Sequence, residues 1–195
     1  MKKTLFTVLI LVTSAVVTAQ EYKKAIEKSF TEYLNAIANK EFEKSLDFVV
    51  PEFFDIYPKG QMIAVMEQTF NNPAIKFELR DPKILKINDA KKIENKYYSL
   101  LSYSHQMNMK VNEGAEQSEE EKKAQNSLIA TSLKEEFGEG NVKYNDTTGF
   151  FEIQIEKQVY TISKNGQTDW KFLVIEKKQK AFLEKLLPKE LLDTI

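Results

Sequence analysis

At Pro73 the hydrophobic pattern of the chain changes period, and this change limits the fold more than any other feature of the sequence. Before it, apolar residues recur at three and four: Ile26, Phe30, Leu34 and Ile37 in one segment, Phe42, Leu46 and Val49 in the next, and Ile63, Met66 and Phe70 in a third. That spacing places each set on one face of a helix. Pro51 stops the second helix, Pro58 suits the first turn of the third, and Asn71-Asn72-Pro73 ends it. After Pro73 the alternation is every second residue, beginning with Ile75, Phe77 and Leu79 and continuing in KILKI at 83–87, as half-buried strands require.

The next strand is long. From Ile93 the odd positions Tyr97, Leu101, Tyr103, His105, Met107, Met109 and Val111 fall on one face, and Ser102, Ser104, Gln106, Asn108 and Lys110 on the other. Strands are also predicted at VKY 142–144, along FFEIQIEKQVYTISK and at DWKFLVIE 169–176, with Asn165-Gly166-Gln167-Thr168 as a hairpin turn. Between Glu156 and Val159 the alternation slips from Phe151, Ile153 and Ile155 to Tyr160 and Ile162, which predicts a β-bulge. A helix interrupts the strands at about 118–137, opened by the capping-box spacing of Ser118 and Glu121 and closed by Gly138 and Gly140. Its stripe of Leu128, Ile129, Leu133 and Phe137 either packs on the sheet or covers an opening as a lid. A last helix, QKAFLEKLL, runs into Pro188. Helices followed by antiparallel strands define an α+β domain, with N-terminal helices packed on a curved, mainly antiparallel sheet.

The first 19 residues read differently. Lys2 and Lys3 precede an apolar and small-residue run from Thr4 to Val17, and Val17-Thr18-Ala19 follows. This is the plan of a secretory signal peptide cleaved after Ala19, leaving 20–195 as a single domain in the periplasm or outside the cell. The run is shorter than the roughly 20 residues that span a bilayer, and no later segment supplies a membrane span. The chain has no cysteine, which excludes disulfides, thiolate metal sites, a cysteine nucleophile and a lipoprotein anchor. With 28 basic and 29 acidic residues interspersed, the chain carries no electrostatic footprint for nucleic acid.

ANKEFEKSLDFVVPEFF resembles the helix and following segment that open NTF2-like (SnoaL-type, cone-shaped) domains, and YTISKNGQTDWKFLVIE resembles their last two strands. PKILKI, YYSLLSYS and LEKLLPKELL are similar to a narrower group of exported proteins from Bacteroidetes-type bacteria, which brings no activity with it. The resemblance implies a cone closed by helices and sheet. The helix at 118–137 departs from it, because a tight hairpin is usual there. Enzymes of that superfamily, such as ketosteroid isomerase and the dehydratases, carry an acid, a base or a histidine dyad inside the cone.

His105 is the one histidine of the chain and the one side chain whose unperturbed pKa suits acid–base work near neutrality. Tyr97 and Tyr103 share its parity and could supply phenolic donors, giving an acid/base reading as an isomerase, dehydratase or hydrolase. No carboxylate shares that parity. Asp47, Asp55 and Asp169 could approach from elsewhere, but spacing selects none of them. A histidine without an orienting carboxylate is a weak catalytic candidate. No cofactor motif and no metal-ligand spacing is present. The residues expected to line a ligand pocket are therefore Tyr97, Tyr103, His105, Met107 and Met109, a mostly apolar wall with polar tips. The alternative is that the helices fill this space as ordinary core. The favoured reading is an exported, non-catalytic module that binds a small apolar or aromatic molecule, or that pairs two subunits through its sheet.

Overall fold

The computed structural model describes the backbone of residues 2–112 and 118–193, with the side chains of these apart from 2–19 and 177. The chain is α+β, and its six strands form one antiparallel sheet that does not close. Helix α1 runs Lys2–Ala38, α2 Phe42–Leu46 and α3 Lys59–Phe70, with a 3-10 turn at Pro51–Asp55. Strands β1 (Ile75–Ile87), β2 (Lys91–Ile93) and β3 (Lys96–Val111) follow, then α4 (Glu119–Phe137), β4 (Val142–Asn145), β5 (Phe150–Ser163), β6 (Lys171–Val174), α5 (Lys180–Leu183) and α6 (Lys189–Leu192). The side chains of the predicted signal segment lie outside the described residues, as does the connection 113–117. Among the described residues no helix is long and apolar enough to cross a membrane.

The sheet order is β1-β3-β5-β4, with β2 also pairing β3 and β6 also pairing β5. β3 is thus central and its odd face is the floor of the main core. Ile26 and Phe30 of α1 are fully buried there against Leu101, Tyr103, Val159, Trp170 and Phe172. Phe30 meets Tyr103 edge-on at 4.9 Å and Phe172 edge-on at 5.0 Å, the T-shaped geometry that aromatic quadrupoles favour. Burial of each such side chain stabilises the fold by roughly 1.5–3 kcal/mol. The turn after α1 needs a positive φ at Lys40 (61°). Its ammonium donates to the Phe70 carbonyl (3.0 Å) and to Asn71 Oδ1 (3.2 Å), which ties the ends of α1 and α3 together.

The bulge expected between Glu156 and Val159 is absent: β3 and β5 pair without a break from Tyr97↔Ser163 to Met109↔Phe151. The alternation slips because β5 is buried on both faces from Val159 to Ser163. Its odd residues face α1, whereas Tyr160 and Ile162 belong to a second core with Tyr98, Leu173, Ile175, Leu183, Leu187 and Leu191. The C-terminal helices therefore cover the even face at that end, and the buried Tyr160 hydroxyl donates to the Leu191 carbonyl (3.1 Å). The register shifts occur instead in β1, between Arg80 and Lys83 and between Ile84 and Lys86. Pro82 lies within the first of these, so IKFELR and KILKI join as one bent strand. Pro82, Lys76, Lys83 and Lys86 also guard this outer strand against pairing with another sheet.

Helix α4 packs; it does not stand free. Ser118 caps it with the expected reciprocal box: its hydroxyl accepts from the Glu121 N–H, and its own N–H donates to the Glu121 carboxylate (2.8 Å). Ile129, Ala130, Leu133 and Phe137 pack with Met107 and Met109 on the cluster of Val142, Phe151, Ile153 and Ile155. Leu128, predicted to share the buried stripe, is 71% exposed.

Candidate functional site

On the odd face of β3 the residues are covered by two different helices. Leu101 and Tyr103 lie in the core that α1 completes, and Met107 and Met109 lie in the one that α4 completes. His105, opposite Ile155 on β5, falls at the seam between them. A cleft of about 360 Å³ opens at this seam. Its walls are Leu34 and Ile37 from α1 and Leu79 from β1, its inner end is Tyr103 and His105, and its mouth is formed by the exposed Asn35, Ala38 and Pro82. Helical spacing puts Leu34 and Ile37 toward the sheet, and strand parity puts Leu79, opposite Met107, on the same face as His105.

The His105 and Tyr103 rings are stacked, with centroids 5.6 Å apart and planes 14° from parallel. His105 Nδ1 is buried without a hydrogen-bond partner among the described residues. Burial, and secondarily the charge of Lys157, lowers the imidazole pKa below its ordinary value. Burial pushes the Tyr103 hydroxyl well above the ordinary tyrosine value, with smaller contributions from Tyr33 and Glu176. Both groups are therefore neutral at pH 7.

No described carboxylate hydrogen-bonds to His105. Glu176 forms an ion pair with Lys157, Asp47 pairs with Lys59 (2.6 Å), and Asp169 pairs with Lys171 (3.1 Å). Glu78 is shared between Lys76 and Arg80. The acid–histidine geometry that a dyad needs is not assembled among these residues. Nor do the described residues contain a group of three His, Cys, Asp or Glu side chains placed to hold a metal ion.

Tyr103 and His105 thus line the cleft, and Tyr97, Met107 and Met109 lie elsewhere. The Tyr97 ring packs against Gly166 of the β5–β6 hairpin, where an added Cβ would come within 2.7 Å of it, and the Lys92 ammonium sits 5.7 Å from its centroid. The two methionines fill the space under α4. Parity identifies a face but not which helix covers each part of it, so the strand pattern could not separate these positions. The cleft residues Leu34 and Ile37 carry a signal in the helical stripe and Leu79 in the strand alternation; Asn35, Ala38 and Pro82 carry none. Other concavities are more polar. One of about 530 Å³ beside β5 is bordered by Glu136, Glu156, Lys157, Glu176 and Lys178, with ion pairs Lys157–Glu176 and Lys178–Glu136 among them.

Compared with family models the chain matches none, and compared with curated proteins it matches none.

Proposed function

We propose that the protein is an exported, non-catalytic binding module of NTF2-like type that holds a small apolar or aromatic molecule in the cleft beside His105. The observation that carries this reading is the cleft itself: apolar walls from α1 and β1 converge on an inner end of Tyr103 and His105, within the size range of small-molecule sites. Two further features support it. His105 has a stacked tyrosine and, among the described residues, no orienting carboxylate, which suits a wall residue better than a general base. The first described side chain to join the core is Tyr22, whose hydroxyl accepts from the Ala90 N–H (3.1 Å) and whose ring lies 6.0 Å from Trp170. Every residue named in that core follows the proposed cleavage site.

The test is a fluorescence titration with the neutral apolar probe N-phenyl-1-naphthylamine. The wild-type protein should bind it saturably, and Leu79→Trp, which fills the cleft from β1, should abolish binding without unfolding the protein. Equal binding by the folded variant would place the probe elsewhere and defeat the proposal.

A further inference from the structure

The apolar cleft does not end at its mouth. Ala38, at the mouth, and Leu79, in the wall, also border a second and more polar concavity of about 560 Å³, set between the C-terminal ends of α1 and α3 and the first half of β1. From His105 to Met109, which stands opposite Phe77 of β1, the central strand advances about 13 Å, so one extended molecule can lie along both. Its inner part would meet uncharged walls, where a charged group would lose its water without a countercharge.

The outer part meets different chemistry. The charged residues bordering it are Lys40, Lys76 and Glu78, and Glu78 is held by Lys76 (2.8 Å) and Arg80 (2.6 Å). Among the described residues no carboxylate pairs with Lys40, whose neighbour Glu41 is taken by Lys44 (2.6 Å). The Lys40 ammonium donates to the Phe70 carbonyl and to Asn71 Oδ1, and Asn72 Oδ1 accepts from the Ala74 N–H (2.9 Å). With both amide oxygens engaged, the hydrogen-bonding capacity left at these helix ends is that of donors: the remaining ammonium N–H of Lys40 and the amide N–H groups of Asn71 and Asn72. Donors beside an ammonium suit an anion. All three side chains are exposed, so a headgroup there adds a modest preference, and the apolar cleft supplies most of the affinity. The other side of the mouth, where Leu34 and Pro82 border a smaller concavity of about 280 Å³, offers one charge of each sign, Glu27 and Lys83, and selects neither.

We propose that the cleft and its outer extension take single-chain amphiphiles with an anionic head, the alkyl chain lying against Leu34, Ile37 and Leu79 and the head reaching Lys40, Asn71 and Asn72. This rests on the reading of the cleft as a ligand site, and it goes further by giving the ligand a head, a sign of charge and a direction.

Three compounds with one chain test it: decanoate, decanol and decyltrimethylammonium, each used at neutral pH to displace bound N-phenyl-1-naphthylamine. In the wild type, decanoate should bind about fivefold more tightly than decyltrimethylammonium, with decanol between them. That preference should vanish as salt rises from about 0.01 M to about 1 M. Lys40→Gln should remove it while leaving the affinity for N-phenyl-1-naphthylamine within about twofold; if this variant does not fold, the salt dependence of the wild type decides. Decyltrimethylammonium binding as tightly as decanoate, or a preference that salt does not weaken, overturns the anionic head, and a preference that survives in Lys40→Gln overturns the role of Lys40. If the folded wild-type protein binds neither N-phenyl-1-naphthylamine nor any of the three, the ligand-site reading fails and this inference falls with it. Binding of N-phenyl-1-naphthylamine that no decyl compound displaces leaves the ligand site standing and rejects only the amphiphile.

Discussion

His105 is stacked on Tyr103 at 5.6 Å between centroids, two positions along the central strand, while its Nδ1 is buried with no hydrogen bond from a described residue. The arrangement makes protonation costly, because an imidazolium there would lose water and face the charge of Lys157.

This gives stability a definite dependence on pH. An imidazole harder to protonate in the fold than in the unfolded chain makes the unfolded state the stronger proton binder. Its contribution is complete above the ordinary value of 6.5 and is lost as pH falls through that value toward the lower folded one. Carboxylates such as Glu78 and Glu52, held below their ordinary range chiefly by hydrogen bonds from Lys76 and Lys96, act in the same direction but at lower pH. Urea unfolding between about pH 7.5 and about pH 5.5 should therefore show declining stability in the wild type and a flatter profile in His105→Phe. Identical profiles would mean that His105 titrates alike in the folded and unfolded states.

Thr161 is fully buried and its Oγ1 has no hydrogen-bond partner among the described residues. Thr161→Val keeps the β-branched shape and removes the unsatisfied hydroxyl, so it should stabilise the protein by about 1 kcal/mol. Thermal unfolding should rise by about 3 °C. A lower midpoint would show that the hydroxyl is bonded in solution.

Gly166 has a φ of 72°, and a Cβ there would meet the Tyr97 ring at 2.7 Å. Gly166→Ala should destabilise by about 1–3 kcal/mol through backbone conformation and overpacking together. Gly60→Ala, in α3 with nothing within 4 Å of the added carbon, should cause no loss. Denaturant midpoints of the two variants test the contrast.

Packing of α4 is separable from exposure along the same helix. Leu133 joins the cluster on β4 and β5, whereas Leu128 is 71% exposed. Leu133→Ala should cost roughly 1–2 kcal/mol, below the range for fully buried leucines because the site is half-buried. Leu128→Ala should stay within about 0.5 kcal/mol of wild type. Equal effects in urea denaturation would mean that α4 does not use this face.

The elements themselves were legible in the sequence because each buries one face. Ile26 and Phe30 fix the inward side of α1, and Tyr103, Met107 and Met109 that of β3. Legibility ended where both faces are buried: Tyr160 and Ile162 imitate a bulge only because α5 and α6 build a second core behind β5. It ended again where pairing brings distant segments together. His105 was identifiable as a wall residue, but its cleft depends on Leu34 and Ile37 of α1 meeting Leu79 of β1. Leu128 failed for a local reason, since α4 crosses the sheet on a narrower stripe than its apolar residues cover.

Because the chain has one histidine, its imidazole NMR signals need no assignment and report directly on the cleft. The most direct measurement is a pH titration of those signals with and without saturating N-phenyl-1-naphthylamine. The account predicts a midpoint below 6.5 in the free protein and a change in both imidazole resonances and midpoint when the probe is bound. A midpoint at or above the ordinary value, or signals that do not respond to bound probe, would contradict it.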